Sequence, residues 1–188
     1  MLMRLENTRD YFDEITKKAY RQFMDGEVTF LVVYSMANGL YHIAEWICLH
    51  DLSRVQAKFG AQIDTAPTLW RQVVEKRIVD AGFIRDLNNA AKHAKLRFDP
   101  LKPKKGDPST GMHHAANTFI SIAGYGTGGF GRGPYGKGAT EVKMDEGSRE
   151  VSLEPIATQV FQFWETLVDE FYPKPALTIS SIGPNTNS

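Results

Sequence analysis

Four stretches of this chain carry apolar side chains at three- and four-residue steps, and a chain patterned that way folds by packing helix against helix. Tyr11, Ile15, Ala19 and Phe23 mark a first helix over residues 8–24, with Asn7 or Thr8 as its N-cap and Asp25-Gly26 as its end. Residues 28–50 form a second, strongly apolar and aromatic-rich helix, and residues 51–59 a shorter one stopped by Gly60. Thr65-Ala66-Pro67 is a helix-start signal, and the pattern then runs over residues 67–98 as one long helix that Gly82 bends or splits. Asp99-Pro100 ends it, because proline restricts the residue before it and has no amide to donate. A final helix over residues 154–171 carries Ala157, Val160, Phe161, Trp164, Leu167, Val168 and Phe171.

Between the last two helices the pattern changes. Residues 118–123 are apolar enough for a strand, and residues 141–144 and 150–153 alternate polar and apolar around Asp145-Glu146-Gly147-Ser148, a hairpin signal. The expected fold is mainly α: a four-helix bundle with a small β-hairpin or sheet insertion before its last helix. Residues 1–175 read as one domain, with a Gly-rich loop at 124–138 and the hairpin at 140–153, and residues 176–188 as a disordered tail.

Charge and cysteine content limit the function classes. The net charge is zero, so no global field points to nucleic acid or membrane. Locally, residues 85–105 hold seven Lys/Arg against two Asp, and residues 141–170 hold eight Asp/Glu against two Lys/Arg. Such zoning suits an anionic partner or head-to-tail self-association. Cys48 is the single cysteine, which excludes an internal disulfide and a Cys-rich zinc site and fits a cytoplasmic protein. Residues 28–49 have the length of a membrane span, but Asn38, His42 and Glu45 interrupt them, so a buried helix is expected and no membrane partner.

Three constellations carry possible chemistry. Residues 124–138 hold eight of the sixteen glycines and match both G-x-G-x-x-G and G-x-x-x-x-G-K. A phosphate cradle needs a helix directly after it, whereas a strand follows here and Gly138 stands where Ser/Thr belongs, so a nucleotide-binding role for this loop is a distant alternative. Tyr125, Phe130 and Tyr135 alternate there with Arg132 and Lys137, which suits stacking on single-stranded nucleic acid. On the second helix, His42-Ile43-Ala44-Glu45 reverses the Glu-x-x-His order of di-metal bundles and occurs once, so neither a metal nor another cofactor is expected. In the third helix Asp86, Asn89 and His93 fall together on the side opposite the apolar stripe, with Arg85 and Lys92 flanking them.

The run Arg85-Asp86-Leu87-Asn88-Asn89-Ala90-Ala91-Lys92-His93, late in a helical bundle, resembles the signature helix of HEPN-like proteins, as it does uncharacterised bacterial and phage proteins. The resemblance implies a homodimer whose helices bring Arg and His together as a metal-independent endoribonuclease site, or a related module that binds RNA or a protein partner in phage defence or a toxin system. Carried over, Arg85 holds the scissile phosphate, Asp86 is its polar companion, His93 is the acid or base on the ribose 2′-hydroxyl, and Asn89 carries the chemistry with them. Lys92, Lys95 and Arg97 would lie along the RNA backbone, with Arg132 and Lys137 adding to them from the Gly-rich loop. Seven residues separate Arg85 from His93, where the family has four to six. An eight-residue step turns about 80° and climbs about 12 Å, so Asp86 aligns with His93 better than Arg85 does.

Overall fold

The computed structural model describes residues 4–25, 29–92, 118–122, 140–145 and 150–173. Six helices and a small antiparallel sheet make up this part of the chain. Helix α1 spans residues 8–24 as Thr8–Tyr11, a π-helical turn Phe12–Thr16, and Lys17–Met24. Asn7 caps it by accepting from the Asp10 amide at 3.0 Å. Helix α2, Phe30–His50, is capped by Thr29, and α3, Leu52–Phe59, ends where Gly60 takes φ 107°. Helix α4 spans residues 66–77 as Ala66–Leu69, a second π-helical turn Trp70–Val74, and Glu75–Arg77; Thr65 caps it as expected.

The long helix expected over residues 67–98 is split. The chain leaves helical geometry at Ile78, passes through Asp80 at φ 64°, and re-enters helix as α5, Gly82–Lys92. The break precedes Gly82 because Ile78 and Ala81 turn inward and are buried, whereas Val79 is left in solvent. A straight continuation would keep the apolar row on one side of a single rod. The break instead lays α5 against α2.

Strands β1 (Thr118–Ile122), β2 (Thr140–Asp145) and β3 (Glu150–Ser152) form an antiparallel sheet in the order β1-β2-β3. Ile120 pairs with Val142, and Met144 with Val151. The expected hairpin thus gains the 118–122 segment as a third strand. Val142 and Val151 are buried, and β2 lies against α6, Leu153–Phe171.

The core is aromatic at its centre. Trp70 of α4 and Trp164 of α6 are fully buried with ring centroids 6.0 Å apart, in one core cluster with Phe12, Met36, Leu40 and Phe83. The Trp164 indole N–H donates to the Leu40 carbonyl at 2.9 Å, so this bulky ring enters the core without a stranded donor. Helices α1 and α2 touch backbone to backbone: Thr16 donates to the Gly39 carbonyl at 3.0 Å, and a Cβ on Gly39 would stand 3.1 Å from Thr16 Cα.

Three acidic residues near the end of α6 are paired from within. Arg9 pairs with Asp169 of α6 as well as with Asp13, Lys17 with Glu165 at 3.2 Å, and Lys58 with Glu170 at 2.7 Å. Among the described residues no helix is long and apolar enough to cross a membrane.

Candidate functional site

Helix α5 is where the structure departs most from the expected surface. Its early polar residues do not face water: Arg85 is 3% exposed, Asp86 0% and Asn88 1%, alongside the buried Phe83, Ile84, Leu87 and Ala90. The helix is therefore sunk on nearly all sides over these turns, and the expected wet face of Asp86 and Asn89 is corrected to a buried Asp86 and a half-buried Asn89. Burial on this scale is tolerable for charge only in pairs, and the pairing is explicit. Arg85 Nε and Nη2 both donate to Asp86 Oδ1, at 3.0 and 2.8 Å, and Nη1 donates to Glu75 Oε1 of α4 at 2.7 Å.

Glu75 is the member that sequence reasoning missed. It lies ten residues before Arg85 and belongs to a different helix once the chain breaks at 78–81. Only that break folds α4 back within reach. Its carboxyl is pushed above the ordinary value, first by burial and then by Asp86, against the pull of Arg85, Arg71 and Trp70. Tyr41 of α2 closes the cluster. Its ring meets Trp70 edge-on at 5.1 Å, and its phenol is raised mainly by burial while Arg85 and Arg71 oppose that shift.

Two donors at this junction of α2, α4 and α5 lack an acceptor among the described residues. One is the Trp70 indole N–H, fully buried and near the Glu75 carboxyl but making no bond of proper geometry. The other is the Asn88 side-chain amide, whose oxygen accepts from Asn38 at 3.2 Å.

Of the remaining sequence-named residues, Lys92 closes α5, and His93, Lys95, Arg97, Arg132 and Lys137 lie outside the described residues, as do the Gly-rich loop and the 176–188 tail. On α2, Glu45 is exposed rather than buried and meets His42 Nδ1 at 2.8 Å. Trp46 stacks between Tyr11 and His50. The Cys48 thiol is pushed up to about 11 by burial, which makes it a poor nucleophile at neutral pH. No three His, Cys, Asp or Glu side chains gather as a metal site among the described residues.

The fold and this cluster define a mainly helical protein with a small antiparallel sheet and a guanidinium–carboxylate triad between α4 and α5. Comparison with protein-family models, characterised proteins and solved structures gives no match.

Proposed function

We propose that this protein is a HEPN-like helical module that binds RNA without cleaving it in the conformation described above. The observation that supports this reading is the closure of Arg85. A guanidinium that holds a scissile phosphate must offer a donor edge to the ligand, whereas Nε, Nη1 and Nη2 of Arg85 all have carboxylate acceptors on their own chain. The basic residues that follow it in sequence, Lys92, Lys95 and Arg97, then supply backbone contacts rather than chemistry.

The test is incubation of the purified protein with total RNA and a tRNA pool in excess chelator, beside Arg85→Lys and His93→Ala, scored for retention and for cleavage. The expected result is intact RNA, bound with an affinity that falls steeply as salt rises. Cleavage by the wild type that both variants lose would replace this reading with the metal-independent endoribonuclease. Absence of binding would overturn the RNA reading in favour of a protein partner.

A further inference from the structure

We propose that the Glu75 carboxylate is an internal stand-in for an RNA phosphate, a displaceable latch over an anion site formed by Arg85, Arg71 and the Trp70 indole N–H. The inference rests on the RNA-binding reading above and adds how the site is kept closed. The two carboxylates on Arg85 are not equivalent. Asp86 is its chain neighbour on the same helix, with a side chain only 1% exposed. Glu75 is 19% exposed and sits in the three-residue end of α4, between a π-helical turn and the break at 78–81. Asp86 is packed in on all sides and has little room to rotate, whereas Glu75 needs only a rotamer change or a small shift of a helix end.

The surroundings hold the ionised Glu75 weakly and still offer donors to an anion. Burial and the neighbouring Asp86 both oppose the ionised Glu75 carboxyl. Arg71, half-buried, adds a second positive charge on the Glu75 side. The Trp70 N–H, fully buried without a proper acceptor, is a fixed donor beside the same carboxyl. An RNA phosphodiester has two non-bridging oxygens, one for Arg85 Nη1 and one for the indole N–H. Asp86 would continue to hold Nε and Nη2, keeping the guanidinium plane oriented.

The experiment is fluorescence anisotropy with a short labelled single-stranded RNA against wild type, Glu75→Gln, Glu75→Gln/Arg85→Lys, and the charge-matched surface control Glu154→Gln. Glu75→Gln is expected to tighten binding about tenfold, Glu154→Gln to change it less than about twofold, and the double variant to lose the gain. Equal binding by wild type and Glu75→Gln would overturn the latch and leave the RNA reading standing. A gain that survives Arg85→Lys, or that Glu154→Gln matches, would reduce the effect to net charge and also overturn the latch. No binding by any variant would overturn both readings. Should Glu75→Gln melt early, Glu75→Asp, which withdraws the carboxylate by one methylene, must still exceed the Glu154→Gln control, and equality with that control overturns the latch.

Discussion

At the scale of single residues, the fold is pinned by a few buried polar groups whose partners come from far along the chain. Asp51, between α2 and α3, accepts from the Thr8 hydroxyl at 2.9 Å and the Tyr172 hydroxyl at 2.7 Å, and meets Arg54 at 3.3 Å. One carboxylate thus ties the start of α1 and the end of α6 to the α2–α3 corner. Arg54 reinforces the joint by donating to the Phe171 carbonyl at 2.7 Å. Asp51→Ala would leave the Tyr172 hydroxyl and Arg54 without this acceptor, Thr8 keeping the Trp46 carbonyl at 3.2 Å, and is expected to cost about 3 kcal/mol in urea unfolding. Tyr172→Phe removes one bond and leaves Asp51 its other partners, so it should cost about 1 kcal/mol in the same measurement. Apart from Arg54, three residues on, none of these partners is suggested by local sequence. An Asp at a helix junction reads as a cap, and only the return of α6 to the α2–α3 corner makes Asp51 a hub.

At the scale of elements, irregularities in the helices set how they meet. Each of α1 and α4 contains a π-helical turn, at Phe12–Thr16 and Trp70–Val74, and each turn carries a large core ring, Phe12 or Trp70. Thr16, closing the first turn, lies against Gly39, where the added methyl of Gly39→Ala would face backbone that has little room to retreat. Alanine's helix propensity favours the substitution by about 1 kcal/mol. The crowding outweighs it, so the variant is expected to melt lower than wild type in a calorimetric scan. The α4–α5 break makes a separate prediction. A β-branched residue tolerates the φ of 64° at Asp80 poorly, so Asp80→Val should destabilise by about 1–2 kcal/mol in chemical denaturation, while Asp80→Gly should cost less. Apolar spacing located the helices and their caps within a few residues, and alternation located the strands. It did not reveal the π turns or the exact break, because both are set by which rings must reach the core rather than by local preference.

At the scale of the whole molecule, the described ion pairs divide between surface pairs and a buried triad. Three of the four acidic residues of α6, Glu165, Asp169 and Glu170, are matched by Lys17, Arg9 and Lys58. Surface pairs of this kind contribute little individually, about 0–1 kcal/mol each, whereas the triad at Arg85 is sensitive to loss of any member. Its pH dependence has a definite sign. The folded protein raises the Glu75 carboxyl above its ordinary 4.5, so over the pH window just above that value the native state keeps a proton that the unfolded chain has released. Stability from this group is present at lower pH and is lost as pH rises through the raised value. The unfolding free energy of wild type minus that of Glu75→Gln, followed by urea titration upward from pH 4.5, is therefore expected to fall with pH and then level off.

The sequence by itself determined the helical class, most of the helix boundaries, the small sheet before the last helix and the polar content of the 85–93 run, because periodicity and capping are local properties of the chain. Only the tertiary structure decided that Arg85 and Asp86 are buried, that Glu75 joins them, and that Glu165, Asp169 and Glu170 of α6 find cations on α1 and α3. Those outcomes depend on how α4, α5 and α2 converge after the break at 78–81, and burial and pairing are properties of that convergence, which no stretch of sequence contains alone.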